Sequence, residues 1–186
     1  MVVEEETFFD NAVFAFLKSN DSPFFFKVAL LITFFGSGYF LIPAFLIVTS
    51  YQILNKRNRE AIIIGIVALV IFLSGWALKD IFHRPRPLLP LIPAAAGYSF
   101  PSGHSLGGFT FSGVLIYLLW KITIRTSLKW LLSALLVLFA LLIGLSRIYL
   151  RVHFASDVLG SLFLTIIWLS LTFVLFETIE RRAGIL

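Results

Sequence analysis

Apolar residues fill long stretches of this chain, and short polar islands interrupt them at intervals that match a lipid bilayer. Near the amino terminus Phe9, Val13, Phe16 and Leu17 recur at helical spacing, with Asp10, Asn11 and Lys18 at the other positions. That pattern predicts an amphipathic helix over residues 8–18, lying in the membrane interface rather than crossing. Asn20-Asp21-Ser22-Pro23 ends it and supplies a start signal for the next helix. The apolar run over 24–54 is longer than the roughly 20 residues that cross a hydrocarbon core. Gly36-Ser37-Gly38 divides that run into an interfacial or re-entrant helix over 24–35 and the body of a first spanning helix over 39–54. Pro43 reads as a tolerated kink inside that span. Further spans are predicted over 61–80, 104–122, 128–148 and 156–178. The expected architecture is an all-α, polytopic membrane helix bundle with five spans after amino-terminal amphipathic helices, one domain over residues 1–186. Five crossings put the termini on opposite sides.

Composition strengthens this picture. The chain is 59% hydrophobic and only 13% charged, with a mean hydropathy of +0.97, whereas soluble domains carry about a quarter charged residues. The absence of cysteine excludes disulfides, thiolate metal sites and a cysteine nucleophile. A formal charge of +5 raises the question of nucleic acid, but the basic residues are split among loops between apolar spans. Membrane topology and anion binding account for them better, so no nucleic-acid partner is expected. Glu4, Glu5 and Glu6 stand where a secretory signal carries positive charge, so no cleaved signal is expected. Trp120 and Trp130 fall at predicted span ends, as interfacial anchors do. Outside the polar islands the cations divide eight to two between the two sides. The richer side holds Lys56, Arg57, Arg59, Lys121, Arg125, Lys129, Arg181 and Arg182. It is expected to be cytoplasmic, with the carboxyl terminus, in a cell (inner or plasma) membrane.

Three islands share the opposite, extracytoplasmic side. The first runs from Lys79 through His83, Arg84, Arg86 and Pro87; the second is Pro101-Ser102-Gly103-His104; the third runs from Ser146-Arg147 through His153 to Asp157. Ionisable groups at membrane depth are costly, and their default reading is function. Lys79, Arg86 and Arg147 supply positive charge, and arginine adds a fork that matches phosphate oxygens. The second island opens a helix, whose amino terminus presents unpaired N–H groups to an anion, and Gly103 lets the backbone approach closely. His153 and Asp157 are four apart, so a helical segment aligns them. A carboxylate on one imidazole nitrogen fixes the tautomer and leaves the other free to attack; His104 is then available as an acid.

Each island alone has a plainer explanation. The first is a snorkelling helix end, the second an ordinary turn, and the third a structural hydrogen bond. Their occurrence in order on one side is what favours chemistry. His83 reads as an interfacial or rim residue, and Asp80 as local charge balance. Three histidines and few acids offer no compact ligand set, so no metal or other cofactor is expected.

The islands resemble the motifs of the type 2 phosphatidic acid phosphatase (PAP2) superfamily: Lys-x6-Arg-Pro, Pro-Ser-Gly-His and Ser-Arg-x5-His-x3-Asp. All fixed positions are filled, across residues 79–157. The resemblance implies a metal-independent membrane phosphatase in which His153 is transiently phosphorylated, His104 is the general acid and Asp157 orients His153. It likewise assigns Lys79, Arg86, Ser102, Gly103 and Arg147 to phosphate binding. Arg84 recurs in many bacterial relatives as part of Arg-Pro-Arg-Pro and receives a weaker role. An additional amino-terminal span of some members has no counterpart here; the amphipathic region takes its place.

The expected substrate is a phosphorylated membrane lipid: phosphatidylglycerophosphate, phosphatidic acid or undecaprenyl diphosphate, with lipid A phosphate as the alternative. The apolar loop over 88–100 is expected to rest on the membrane and shape access. A non-catalytic anionic-lipid transporter needs neither a nucleophile nor an acid, so His104, His153 and Asp157 argue against it. Vanadium-dependent haloperoxidases share the motif set but are soluble, unlike this composition.

Overall fold

Seven helices form among the described residues, which are 7–19, 22–93 and 96–182 of this computed structural model, the Glu180 side chain apart. They are α1 (Phe8–Ser19), α2 (Pro23–Phe34), α3 (Gly38–Leu54), α4 (Asn58–Phe82), α5 (Gly103–Lys121), α6 (Thr126–Tyr149) and α7 (Ala155–Arg182). No strand occurs among the described residues. Glu4, Glu5, Glu6, Asn20 and Asp21, to which the sequence assigned a missing signal and a turn, lie outside them. Ser22 does cap α2, accepting from the Phe25 N–H at 3.2 Å, and Pro23 occupies the first turn, where its missing N–H costs nothing.

Length and composition qualify α4, α6 and α7 as membrane-crossing helices. The 25 residues of α4 extend about 37 Å at the helical rise, enough to pass a hydrocarbon core about 30 Å thick. Helices α2 and α3 qualify together, as one span bent by 40° at the Gly36-Ser37 break. Phe72, Trp76, Phe163, Ile166, Leu171 and Val174 stand exposed on α4 and α7. So much exposed apolar surface is stable against lipid rather than water.

Helix α5 is less apolar for a physical reason. It packs against α3, α4, α6 and α7, burying Ser105, Gly108, Thr110 and Ser112 beside Leu106, Phe109 and Val114. Its neighbours are protein rather than lipid, so small and polar residues are tolerated and permit close approach. A Cβ on Gly144 of α6 would lie 2.6 Å from Val158 of α7, and one on Gly113 of α5 would lie 2.4 Å from Leu169 of α7.

The two ends of the bundle differ in chemistry. At one end Lys121 of α5 pairs with Glu60 of α4 at 3.0 Å, and Lys129 donates to the Trp120 carbonyl at 3.2 Å. The other end collects the carboxyl end of α4, the amino end of α5, the carboxyl end of α6 and the amino end of α7. All three islands therefore meet there.

Helix α1 corrects the simple amphipathic reading. Asp10 is fully buried and Phe14 nearly so, while Phe8 is 91% and Phe16 68% exposed. The acid faces the protein because cationic and hydroxyl partners await it there, and a buried carboxylate needs such partners. Phe8 and Phe16 face outward instead.

Candidate active site

The site is built around the start of α7. Asp157 sits in its first turn and closes a local capping loop: its Oδ2 accepts from the Phe154 N–H at 2.9 Å, and its own N–H donates to the Phe154 carbonyl at 3.2 Å. The same Oδ2 accepts from Ser99 Oγ and stands 3.4 Å from His153 Nδ1. Oδ1 accepts from Arg84 Nη1 at 2.7 Å. Both oxygens of this buried carboxylate thus have partners, as burial demands.

His153 lies in the loop between α6 and α7 and is 3% exposed. Its Nε2 lies 3.2 Å from Arg86 Nη1. Burial pushes its pKa down to about 4; nearby Arg86 and Arg147 add to this, and Asp157 opposes it. The ring is therefore neutral at neutral pH and retains a lone pair.

Three cations gather at this end of the bundle, and among the described residues none pairs with a carboxylate. Arg86 is held by the carbonyls of Gly97 (3.1 Å) and Val152 (2.9 Å). Lys79 donates to the carbonyls of Tyr98 (2.9 Å) and Pro101 (2.7 Å), tying the end of α4 to the second island. Arg147, at the end of α6 and 5% exposed, donates to Thr33 Oγ1 of α2 at 2.7 Å, and its Nε has no hydrogen-bond partner among the described residues. Cations held by neutral carbonyls and a hydroxyl keep their full charge for an incoming anion.

The second island forms the amino terminus of α5. Ser102 is fully buried; its Oγ accepts from Ser105 N (3.4 Å) and Ser105 Oγ (2.9 Å), and its N–H donates to Ser161 Oγ at 3.1 Å. Its hydroxyl serves as the helix cap. The group left open at this turn is Gly103, beside which an added Cβ would meet nothing within 4 Å. His104 follows in the first turn, within charge–charge range of Arg147, His153 and Arg86. The α2–α3 break packs against it: a Cβ on Gly36 would lie 3.1 Å from both His104 Cβ and its carbonyl oxygen.

All eight residues singled out in the sequence thus gather at one end of the bundle. Others were missed. Ser99, in the loop expected to rest on the membrane, turns inward and is fully buried against Asp157. Thr33 holds Arg147, and Asp10 with Ser156 holds Arg84. Arg84, assigned the weaker role, is bonded directly to Asp157, and its guanidinium lies 4.1 Å above the Phe154 ring. The repeated Arg-Pro was the one local signal for it. His83 and Asp80 remain exposed at the rim, 3.9 Å apart. Among the described residues no group of three His, Asp or Glu side chains is arranged to hold a metal.

Fold and site together define an integral-membrane protein with a buried His–Asp pair beside a cluster of cations and a helix amino terminus. The chain belongs to the PAP2 superfamily, whose sequence pattern matches residues 59–181. Phosphatidylglycerophosphatase B of Bacillus subtilis is 30% identical over 155 residues, covering 81% of this chain and 74% of that protein. Undecaprenyl-diphosphatase BcrC of the same organism is 36% identical over 122 residues, covering 61% of this chain and 56% of its own. Among solved structures, the transmembrane PAP2-type phosphatidylglycerolphosphate phosphatase of Bacillus subtilis superposes with a TM-score of 0.84 at 28% identity, covering 92% of this chain and 86% of its own. LpxE of Aquifex aeolicus follows at 0.72 and 26%, covering 93% and 99%. The protein is a multi-pass membrane lipid phosphatase.

Proposed function

We propose that this phosphatase hydrolyses a glycerophospholipid phosphomonoester or a polyprenyl diphosphate at the outer face of a cell membrane, through a phosphohistidine on His153. The observation that carries the reading is His153 Nε2, an acceptor 3.2 Å from Arg86 Nη1, on a ring whose other nitrogen faces Asp157. In the first step Nε2 attacks phosphorus and the bond from phosphorus to the leaving oxygen breaks. His104 gives that oxygen its proton. Water, deprotonated by His104, then attacks the phosphohistidine, and the P–N bond breaks to return free His153 and inorganic phosphate. Lys79, Arg86, Arg147 and the amino terminus of α5 at Gly103 stabilise charge on the transferring group. Ser102 shapes that terminus as its cap. The cations take the role that metal ions play in other phosphatases, so turnover needs no added metal.

The apolar groove between α4 and α5 supports a lipid substrate. It has a volume of about 280 Å³, is lined by Phe72, Gly75, Trp76 and Leu106, and ends at Lys79 and Gly103. A headgroup at the cations leaves its tail in that groove or in the bilayer. Five spans fit this arrangement: α3 to α7, with α5 enclosed by the others. The eight-to-two bias of the remaining cations supports an extracytoplasmic site and a cytoplasmic carboxyl terminus. All of it constitutes one domain.

Phosphate release from a panel of phosphatidylglycerophosphate, phosphatidic acid, undecaprenyl diphosphate and lipid A tests the reading, with His153→Ala as control. Turnover of one of the first three, lost in the variant, is expected. Turnover retained in the variant contradicts the mechanism, and preference for lipid A selects the alternative substrate.

A further inference from the structure

Asp10 is separated from Arg84 by 74 residues, yet its buried carboxylate belongs to the same bonded network as Asp157. Its Oδ2 accepts from Arg84 Nη2 at 2.9 Å, Thr7 Oγ1 at 2.9 Å and Ser156 Oγ at 2.8 Å. Its Oδ1 accepts from the Ser156 N–H at 2.9 Å. Arg84 turns its other nitrogen to Asp157 Oδ1 and to Ser156 Oγ, both at 2.7 Å. The guanidinium therefore bridges two fully buried carboxylates, one from α1 and one from α7. None of Asp10, Arg84 and Ser156 occupies a fixed position of the three motifs.

We propose that Asp10 and Arg84 form a positioning unit for the reaction: Arg84 fixes the carboxylate of Asp157, and Asp10 offsets the charge of Arg84 so that Asp157 remains effective toward His153. The proposal rests on the reading of Asp157 as the orienting group. Attack by Nε2 places positive charge on the imidazole, which a carboxylate on Nδ1 stabilises. An arginine bonded to that carboxylate by itself would cancel much of the benefit. A second carboxylate on the same guanidinium returns the trio to a net charge of −1. Helix α1, with Phe8 and Phe16 turned outward, thereby supplies part of the site while lying at its edge.

An effect exerted through Asp157 falls on the chemical step rather than on phosphate binding, so it lowers kcat and spares KM. The full-length protein in detergent, assayed on short-chain phosphatidic acid, provides the test. Asp10→Asn is expected to lower kcat about tenfold and Arg84→Gln about a hundredfold, each with KM within about twofold. Arg84→Lys should restore part of the loss. The double variant Asp10→Asn/Arg84→Gln should be no slower than Arg84→Gln alone, because Asp10 acts through Arg84. It removes one charge of each sign, so the buried cluster keeps its net charge of −1, and it supplies the reading where a single variant, which shifts that charge by one, fails to fold. Wild-type kcat in Asp10→Asn or in the double variant overturns the proposal, as do multiplicative losses or a rise in KM alone. Activity of His153→Ala would instead count against the phosphatase mechanism, as would inactivity of the wild type on phosphatidic acid, phosphatidylglycerophosphate and undecaprenyl diphosphate alike.

Discussion

His153 Nε2 accepts a hydrogen bond from Arg86 Nη1 at 3.2 Å. A guanidinium can only donate, so the ring nitrogen carries the lone pair and the imidazole proton sits on Nδ1, facing Asp157. The tautomer and the free lone pair are therefore set by two charged neighbours on opposite edges of one ring. In the proposed mechanism Arg86 also meets the phosphate oxygens, beside the atom that attacks phosphorus.

The low pKa of His153 has a direct kinetic consequence. Protonation of Nε2 removes the nucleophile, so kcat/KM should fall on acidification only as pH approaches about 4, the sign expected when burial and adjacent cations disfavour the charged ring. The profile is measured with the ionisation of the substrate determined in parallel. Arg86→Gln should move this limb upward while lowering activity. A limb near the ordinary imidazole value of about 6.5 in the wild type contradicts the buried, cation-flanked nitrogen.

Thr33 is the partner of Arg147 Nη1 at 2.7 Å. Thr33→Val keeps the shape and removes the acceptor, leaving a buried guanidinium donor unpaired at a cost of about 1–3 kcal/mol. KM for the phosphorylated lipid should rise about three- to tenfold, and Thr33→Ser should restore it. Unchanged KM in Thr33→Val shows that α2 does not orient the phosphate site.

Gly36 is the point where the α2–α3 break meets α5. A methyl group there would lie 2.5 Å from Ile143 Cγ2 and 3.1 Å from the His104 carbonyl oxygen. The Cγ2 methyl branches from the isoleucine Cβ and moves only with a stiff χ1, so α6 and the start of α5 must both shift. Gly36→Ala should lower kcat about tenfold and destabilise the protein by about 1–3 kcal/mol. At Gly38 the nearest contact of an added Cβ is an ordinary 3.6 Å, so Gly38→Ala should be close to neutral in kcat and Tm. Equal behaviour of the two variants contradicts the packing account.

Sidedness is testable because the native chain has no cysteine. Single cysteines replace Asn55, at the Lys121–Glu60 end, and Leu88, which is 57% exposed at the island end. An impermeant thiol reagent, applied to intact cells after opening any outer membrane, should label position 88 and spare 55. The reverse pattern would place the site in the cytoplasm.

Much of this organisation was legible in the sequence because it follows from local periodicity and topology. Helix α5 was expected over 104–122 and runs over Gly103–Lys121, since Pro101 and Gly103 punctuate its start. The meeting of Lys79, His104, Arg147 and His153 follows from placing successive helix ends at one surface. Contacts across the bundle carry no such signature. Thr33 lies in an apolar run 114 residues from Arg147, and nothing in its neighbourhood marks it as polar for a purpose. Asp10 occupies what an amphipathic pattern reads as the solvent face. Ser99 sits in a loop whose apolar neighbours suggested the membrane surface, while its hydroxyl turns inward to Asp157. Burial of these groups is decided by partners distant in sequence, which a periodicity cannot display.

The central claim is a covalent phosphate on His153, and trapping that species tests it most directly. The purified protein is mixed with its turned-over lipid phosphate and quenched within one turnover in alkali, where phosphohistidine survives; peptide mass spectrometry then locates the modification. The account predicts phosphate on His153, its absence in His153→Ala, and its accumulation in His104→Ala when the leaving group needs no proton, because hydrolysis of the intermediate is slowed. Wild-type turnover with His153 never modified, or turnover preserved in His153→Ala, would contradict it.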